Sequence, residues 1–466
     1  MLTDDSVREE RKISDLESYF SVFRNGIIGI HEVFSSSEYP SLPMVYADWT
    51  ASGKCYAPIE ERMISEYMPL IANTHTEATY CSSFTTSAYE DARNRIKRHV
   101  NAFDDDILIA SGSGMTDVVN KLQRILGLRI PEQFKNLVQQ PEEERPIVFV
   151  SHMEHHSNHT SWLETLCEVV VVPPDEEGKV SVENFKKAVE LSAVERPKIA
   201  SITACSNVTG IINPIHEIAR LIHRYDGYCF VDFACSAPYV DINMHPENPE
   251  ERLDVIFFSP HKFLGGPGAS GVLIFNASLY RNGIPDVSGG GTVDWTNPWG
   301  GRKYISDIES REDGGTPPIL QTIKAALAID LKEEMGVSNI RMRDEELMSI
   351  LWKGLFELPG LEILAKDHRD RLGILSFLIN GMHYNEVVKK LNDRYGIQSR
   401  GGCSCAGTYG HFLLDVSPVR SKQITDLIDE GDDSLKPGWV RISVHPTMTN
   451  DEVEFIVDAI RTIAAE

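Results

Sequence analysis

The chain has 466 residues, 42% of them hydrophobic, and a formal net charge of −24 at pH 7. This acidic balance argues against binding to nucleic acid or to an anionic membrane surface, because both need basic patches. No apolar run is long enough to span a membrane, the N-terminus lacks a signal-peptide core, and eight cysteines in so long a chain do not indicate a disulfide framework. We therefore expect a reduced, cytoplasmic protein of two domains.

The predicted elements begin with an N-terminal helical arm over residues 1–40, which we expect to pack with a small domain. A short strand runs into a turn over residues 45–53, and residues 86–100 have helical spacing without a breaker. Strands and helices then alternate, which is typical of a mostly parallel α/β sheet. A helix near residues 320–334 closes the predicted large domain, which covers residues 41–334.

The last part of the chain predicts a second, smaller domain over residues 335–466. A Gly-, Pro- and Trp-rich stretch at 283–318 precedes it and is interpreted as a long crossing loop. Within the smaller domain, strands are predicted at 372–380 and 439–445, and an amphipathic helix at 451–464.

Polar or ionisable residues follow five successive apolar strands of the predicted large domain. These five segments are residues 111–116, 151–159, 204–210, 232 and 259–262. If the strands are parallel, their carboxyl ends meet at one edge of the sheet, where open α/β sheets bind ligands. The sequence therefore predicts a functional site at that edge.

Lys262 ends the last of these segments, just past an apolar strand at 255–258. Taken alone, a His-Lys pair before a Gly/Pro-rich turn is more typical of a solvated surface loop. Asp232 ends a very apolar strand, where a carboxylate is costly unless it meets a cation or hydrogen-bond donors. It is either a core aspartate bonded to loop amides or a partner for a bound cation.

Gly112-Ser-Gly-Met-Thr116 lies between a strand and a helix and offers backbone N–H groups, a hydroxyl and a helix N-terminus, which suit a phosphate. It is neither a P-loop nor a dinucleotide fingerprint, and taken alone an ordinary helix cap explains it better.

Four histidines, His152, His155, His156 and His159, lie in one segment that follows a strand. Their spacing does not match a zincin motif, so we expect no metal and favour an imidazole that stacks on a planar ligand.

Cys403-Ser-Cys405 follows Arg400 in a glycine-rich segment. A single Cys-x-Cys pair is weak support for a metal, whereas an exposed loop near an arginine favours a reactive thiol.

A lysine, a buried aspartate, a stacking histidine and a phosphate cradle together suit pyridoxal phosphate (PLP). The lysine can hold this cofactor covalently, and the aspartate can keep the ring nitrogen protonated. The phosphate needs donors such as Gly114, Thr116, Ser259 and His261.

Taken together, the motifs resemble those of class V aminotransferase-fold enzymes, most closely the cysteine desulfurase and selenocysteine lyase branch, over residues 45–460. The motifs that carry the resemblance are Ser259-Pro-His-Lys262, Met153-Glu-His-His-Ser-Asn158, Ser206-Asn-Val208, Val231-Asp-Phe-Ala234, Gly289-Gly-Gly291, Gly315-Thr-Pro317, Arg400-x-Gly402-x-x-Cys405-Ala406 and Arg441-x-Ser443. The resemblance implies an α/β fold of the PLP-dependent transferase type (fold type I). That fold has a mostly parallel seven-stranded central sheet flanked by helices and a smaller α+β C-terminal domain.

The resemblance also implies roles for individual residues. Lys262, Cys405 and His155 would be catalytic: Lys262 holds the cofactor and moves the α-proton, Cys405 takes sulfur from the substrate as a persulfide, and His155 stacks on the ring. Asp232 would pair with the ring nitrogen. The remaining cofactor-binding residues would be Gly114, Met115, Thr116, Asn207, Ser259, His261 and, from a partner subunit, Thr316. Substrate would be bound by Asn207, Arg400 and Arg441, and Arg441 would bind its carboxylate as a bidentate fork.

The chain departs from the desulfurase pattern at three places. Cys235 replaces a glutamine that usually touches the ring oxygen, and Cys403-Ser404 replaces a histidine-rich step, which leaves the activation of the thiol open. Residues 409–437 are longer than usual and carry an acidic run at 429–433, interpreted as a lid or a partner-docking surface.

The leading functional hypothesis is a homodimeric PLP-dependent lyase of the cysteine desulfurase type, with its active site shared between subunits. It would take sulfur or selenium from L-cysteine or selenocysteine, release alanine, and pass the sulfur to an acceptor protein. One alternative is a class V aminotransferase or another amino-acid lyase without a catalytic cysteine. Another is a cofactor-binding scaffold or sulfur-relay partner with little turnover.

Overall fold

The computed structural model describes residues 15–74, 78–138, 141–192 and 195–466. The first fourteen residues of the predicted N-terminal arm therefore lie outside the described residues. The α-helices, in chain order, are α1 (Leu16–Arg24), α2 (Ala57–Arg62), α3 (Tyr80–His99), α4 (Met115–Ile125), α5 (His156–Leu163), α6 (Val182–Leu191), α7 (Ile215–His223), α8 (Ile308–Glu312), α9 (Ile319–Met335), α10 (Val337–Leu355), α11 (Tyr384–Tyr395), α12 (Gly407–Leu413), α13 (Pro418–Asp429) and α14 (Asn450–Ala464).

The described strands are shorter than most of the helices, and they form two main sheets and three short pairs. In chain order they are β1 (Val33–Phe34), β2 (Leu42–Pro43), β3 (Val45–Tyr46), β4 (Asp106–Ser111), β5 (Ile147–Ser151), β6 (Glu168–Val172), β7 (Lys198–Thr203), β8 (Tyr228–Asp232), β9 (Val255–Phe258), β10 (Gly271–Asn276), β11 (Val293–Thr296), β12 (Arg302–Tyr304), β13 (Leu361–Ile363), β14 (Ile374–Ile379), β15 (Ile397–Gln398), β16 (Arg400–Gly402) and β17 (Trp439–Ser443). Short 3-10 or π turns occur at Met63–Tyr67, Met68–Leu70, Glu132–Leu137, Glu142–Glu144, Pro249–Glu251, Pro260–Lys262 and Ala277–Leu279.

The central sheet has seven strands in the order β4-β10-β9-β8-β7-β5-β6. Strand β10 is antiparallel to both of its neighbours, β4 and β9, and the other pairs are parallel. Strand β4 therefore points in the same direction as β5 to β9. This confirms the prediction of a mostly parallel seven-stranded sheet and brings the five predicted strand ends to one edge.

The central strands are apolar on both faces because helices cover both faces of the sheet. In β9, Ile256, Phe257 and Phe258 are fully buried, and alternate residues belong to two separate apolar clusters, one on each face. A strand buried on both sides holds the residue that follows it in a fixed position. The turn Pro260–Lys262 begins two residues after this strand.

The segment 283–318 differs from its prediction as a crossing loop. It contains the antiparallel hairpin of β11 and β12 and the short helix α8. The glycine-rich composition concealed these elements, because the hairpin strands have few apolar residues and no buried face. Trp299 at the tip of the hairpin is 88% exposed.

The second sheet is antiparallel and has four strands in the order β13-β14-β17-β16. Strands β14 and β17 and helix α14 lie within or next to the segments predicted from the sequence, and α14 begins with a capping box between Thr449 and Glu452. Helix α1 contacts this part of the chain through an ion pair between Arg24 and Glu452 (2.7 Å).

The N-terminal segment also pairs with the C-terminal part of the chain, since β3 is parallel to β15. The division into an arm at 1–40, a large domain at 41–334 and a small domain at 335–466 stays a prediction. Each helix in the part of the chain that the structure describes is too short or too polar to cross a bilayer.

Candidate active site

A cavity of about 390 Å³ lies at the carboxyl edge of the central sheet. Every site residue predicted from the sequence lines it, apart from Thr316, which is exposed elsewhere on the surface. The predicted residues that line it are Gly114, Met115, Thr116, His155, Asn207, Asp232, Ser259, His261, Lys262, Arg400, Cys405 and Arg441. Residues far apart in the sequence therefore line the same cavity.

Lys262 ends the turn that follows β9 and faces this cavity. Removal of the amine from water lowers its pKa, and the neighbouring Asp232 and Cys235 oppose that shift. A lowered pKa increases the fraction of neutral amine, which is the nucleophilic form of a lysine.

Asp232 is the last residue of β8 and is buried. One carboxyl oxygen accepts a hydrogen bond from the N–H of Ala234 (2.8 Å). Burial raises the pKa of Asp232 to about 6, although the backbone bond and the charge of Lys262 lower it. The side chain is therefore protonated more readily than an ordinary aspartate, and an opposing cation, such as a protonated ring nitrogen, would favour its ionised form.

His155 is the N-cap residue of α5, and its Nδ1 accepts a hydrogen bond from the N–H of Ser157 (3.1 Å). Burial, together with the charge of Lys262, lowers the pKa of His155 to about 3. The ring is therefore neutral at physiological pH, and its orientation is fixed by the cap. A neutral, oriented imidazole at the wall of the cavity suits stacking on a planar ligand.

The N-terminus of α4 meets the segment before Lys262, as a phosphate cradle requires. The N–H of Met115 donates to Ser259 Oγ (2.8 Å), and the hydroxyls of Thr116 and Ser157 are 2.6 Å apart. A Cβ atom at Gly114 would lie 3.1 Å from Ser259 Oγ, so glycine permits this close approach. Hydroxyls and a helix N-terminus gathered in one place favour an anion.

Asp48, which the sequence analysis did not single out, joins the two predicted substrate arginines. Its carboxylate accepts from Arg441 Nη2 (2.7 Å) and from Arg400 Nη2 (2.9 Å). Arg441 also donates to the carbonyl of Asn207 (2.9 Å), and its buried Nε has no hydrogen-bond partner among the described residues. Two guanidinium groups on one carboxylate leave a net positive charge beside the cavity, which suits a substrate carboxylate.

A second carboxylate that the sequence analysis did not assign, Glu154, lies under the histidine segment. It accepts hydrogen bonds from Ser151 Oγ (2.5 Å), Asn158 Nδ2 (2.7 Å) and the N–H of Thr203 (2.9 Å). Burial raises its pKa to about 8. Glu154 joins the ends of β5 and β7 and so fixes the segment that carries His155. Its place inside the motif Met153-Glu-His-His-Ser-Asn158 was the signal that could have identified it.

The two cysteines Cys205 and Cys235 both line the cavity. The thiol of Cys235 donates to the carbonyl of Cys205 (3.0 Å), and burial raises the pKa of Cys205 well above that of a free thiol. The sequence analysis noted the departure at Cys235 but not the contribution of Cys205. Burial therefore favours the neutral thiol of Cys205, and the thiol of Cys235 already uses its only donor.

The segment of residues 403–408, here called the Cys405 loop, connects β16 to α12 and brings the thiol to the cavity. Cys405 is exposed, Cys403 is half-buried, and each of the eight cysteines of the chain, all within the described residues, is a free thiol. The amide of Asn207 donates to the carbonyl of Ser404 (2.8 Å). Asn207 therefore contacts the loop as well as lining the cavity.

The four histidines do not share one role. His152 is buried and its Nε2 lies 3.2 Å from the carbonyl of Gly178, whereas His156 and His159, which belong to α5, contact the Cys405 loop. Within the ranges that the structure describes, no three His, Cys, Asp or Glu side chains are grouped so that they could hold a metal ion.

The acidic run at 429–433 consists of exposed residues and begins at the last residue of α13. Helix α13 is connected to the region of the Cys405 loop through His411 of α12, whose Nε2 lies 2.8 Å from Ser421 Oγ.

Comparison with known proteins agrees with this geometry. A probable cysteine desulfurase of Halalkalibacterium halodurans is 29% identical over 400 residues, which cover 85% of this chain and 92% of that protein. A cysteine desulfurase of Haloferax volcanii is 26% identical over 410 residues, covering 83% of this chain and 89% of that one.

Solved structures show the same fold. The apo cysteine desulfurase of Thermococcus onnurineus NA1 superposes with a TM-score of 0.73 at 22% identity, covering 91% of this chain and 95% of that chain. The cysteine desulfurase CsdA of Escherichia coli, in an S-sulfonic acid form, gives 0.72 at 21% identity, covering 97% and 99%. Residues 45–456 match the family described as Aminotransferase class-V, a family of PLP enzymes, and the chain belongs to that family.

Proposed function

We propose that the protein is a PLP-dependent, cysteine desulfurase-like lyase that removes sulfur or selenium from L-cysteine or selenocysteine and releases alanine. The observation that carries the proposal is that the exposed thiol of Cys405 lines the same cavity as Lys262 and Arg441. The curated relatives named as cysteine desulfurases support it.

The residues of the cavity fit PLP. Lys262 would carry the cofactor covalently, Asp232 would face the ring nitrogen, and His155 would lie on the ring. The phosphate would bind to Gly114, Met115, Thr116, Ser259 and His261, which meet at the N-terminus of α4. When bound, PLP supplies an electron-withdrawing ring that stabilises negative charge at the substrate's α-carbon.

The chain's own groups would do the rest. Arg441 and Arg400, held by Asp48, would bind the substrate carboxylate. Lys262 Nζ would move the proton at the α-carbon, because its lowered pKa lets it act as a base.

Cys405 would attack the sulfur of the substrate. A bond forms between the two sulfur atoms while the carbon–sulfur bond of the substrate breaks. The electron pair of that bond stays with the carbon fragment, which takes up a proton and leaves as alanine, and the sulfur remains on Cys405 as a persulfide.

We also propose a homodimer. Thr316 is exposed and lies outside the cavity of its own subunit, so a partner subunit's copy would be needed to reach the phosphate. Light scattering of the purified protein checks the oligomeric state, and Thr316→Val should speed cofactor dissociation. A monomer that retains PLP would contradict this part of the proposal.

The sulfur of the persulfide would pass to an acceptor protein, and the eight free thiols support a reducing, cytoplasmic location.

Product analysis tests the function. The PLP-loaded protein is incubated with L-cysteine and with L-selenocysteine, and alanine, sulfide or selenide, and keto acid are measured. We expect alanine and sulfide in equal amounts from wild type with a reductant present, and loss of both in Cys405→Ala. Full sulfide release by Cys405→Ala would contradict the assignment of the nucleophile.

The same measurement discriminates the alternatives. Stoichiometric keto acid without sulfide would identify an aminotransferase, a reading that the departure at Cys235, whose thiol donates to the carbonyl of Cys205, favours. Absence of any product from fully loaded protein would identify a scaffold or sulfur-relay partner.

A further inference from the structure

The Cys405 loop lies against the first turn of α5 and is bonded to it at two backbone positions. The N–H of His156 donates to the carbonyl of Cys405 (2.7 Å). In the opposite sense, the N–H of Gly407 donates to Nε2 of the same histidine (2.9 Å). His156 therefore bonds to the loop both at the cysteine itself and two residues beyond it.

The loop needs such contacts because its backbone is strained. Ser404 and Cys405 have φ angles of 52° and 56°, a left-handed conformation that non-glycine residues rarely adopt. Strained residues of this kind persist only where neighbouring contacts impose the conformation. The bonds from His156, together with that from Asn207 to the carbonyl of Ser404, enclose both strained residues.

The imidazole of His156 acts as an acceptor at this contact. Its Nε2 receives the N–H of Gly407, so that nitrogen carries no proton. A Cβ atom at Gly407 would lie 3.1 Å from Nε2, so the loop approaches the ring more closely than a larger residue would allow. The contact therefore depends on both an acceptor at 156 and a glycine at 407.

The same turn of α5 carries the imidazole assigned to the cofactor. His155 lies at the cavity wall, and the centroids of its ring and that of His156 are 6.3 Å apart. One turn of helix therefore connects the cofactor side of the cavity to the strained loop. A shift at either histidine would change the distance from the thiol to the cavity.

We propose that His156 is a positioning residue that holds the Cys405 thiol at the cavity through its bonds to Cys405 and Gly407. The role rests on the proposed function of Cys405, whereas the contact itself can be tested independently of any reaction. Its imidazole touches no reacting atom; it acts through the backbone of the loop.

The test measures amide hydrogen exchange of peptides that cover residues 403–410 in the PLP-loaded protein, for wild type, His156→Ala and His156→Gln. Loss of the acceptor should make exchange at Gly407 at least about tenfold faster in His156→Ala. Glutamine places an amide oxygen where Nε2 stands, so His156→Gln should restore most of the protection. Gly407→Ala, which crowds the same contact from the loop side, should also speed exchange and provides a second variant if His156→Ala folds poorly.

The matched control is His216→Ala. His216 is also a partly buried histidine in the first turn of a helix, with Nδ1 2.8 Å from the carbonyl of Glu251, and it lies outside the cavity. Exchange in residues 403–410 should be unchanged in this variant.

Sulfide release gives the second readout. With L-cysteine, kcat should fall about tenfold or more in His156→Ala, with KM nearly unchanged, and should recover in His156→Gln. Wild-type exchange rates at Gly407 in His156→Ala, or a glutamine variant as impaired as the alanine variant, would overturn the proposal. If wild type released no sulfide, the proposed function would fail, while the exchange data would still decide whether His156 holds the loop.

Discussion

The two sides of the cavity are built differently. On one side, here called the cofactor side, Asp232 ends a buried strand and Lys262 follows another, so the sheet itself places both residues. On the other, the thiol side, Cys405 is the exposed residue of a partly buried loop with two left-handed residues, which accepts hydrogen bonds from α5 and Asn207. The cofactor side is therefore determined by packing and the thiol side by a few hydrogen bonds.

The largest loss of activity is expected from Lys262→Ala, which removes the lysine proposed to hold the cofactor. We expect alanine release to fall by at least about 10³-fold, since both covalent attachment of PLP and proton transfer are lost. The visible absorbance of the cofactor should no longer survive gel filtration. The melting temperature serves as the control, because loss of a lysine whose charge is disfavoured by burial should leave the fold intact.

Asp48→Asn tests whether the carboxylate of Asp48 holds Arg441 and Arg400 in place at the cavity. Arg441 is buried and would keep its charge without a counter-ion, which should cost about 3 kcal/mol of unfolding free energy. Urea denaturation measures this loss. Arg400 is half exposed, so Arg400→Gln, the matched variant, should change stability by less than about 1 kcal/mol. Equal effects of the two variants would show that Asp48 does not stabilise Arg441.

Asp232→Asn should have opposite effects on apoprotein stability and on turnover. The carboxyl's pKa is raised to about 6 in the fold, so the folded state binds the proton more tightly than the unfolded chain does. Ionisation therefore costs stability as pH rises from about 4 through 6, and the asparagine apoprotein should be more stable than wild type at pH 7 by about 1–3 kcal/mol. The advantage should vanish below pH 4, where both side chains are neutral. Thermal melts of the apoproteins from pH 4 to pH 8 check this, and PLP binding should weaken in the same variant.

Cys403→Ser should have the smallest effect. Cys403 is half-buried and does not line the cavity, so sulfide release should stay within about threefold of wild type. Cys405→Ala provides the contrast in the same assay. A large loss in Cys403→Ser would indicate that both thiols of the loop take part.

Local sequence patterns drew attention to the residues around Lys262 more readily than to the contacts around Cys405, for a physical reason. A polar residue at the end of an apolar strand is visible locally, and parallel strands bring such ends together, which is how Asp232, His155 and Lys262 were found. Asp48 gives no such signal, because its partner Arg441 is 393 residues away. The role of His156 depends on a contact with Gly407 across 251 residues.

Elements with a buried apolar face were predicted close to their observed bounds, as α9 and α14 show. The hairpin of β11 and β12 was missed because its residues are mostly exposed and lack the alternating pattern that marks a half-buried strand.

The bond between Asp48 and Arg441 has a consequence for synthesis on the ribosome. Lys262 is made while about 200 residues are still to come, and the central sheet is complete in sequence once β10 has followed it. The hydrogen bond from Arg441 to Asp48 cannot form until nearly the whole chain has been made. This contact of very high sequence separation therefore forms late. A nascent chain would thus pass through a stage in which Lys262 and Asp232, proposed to hold the cofactor, are present but Arg441, proposed to bind the substrate carboxylate, is not.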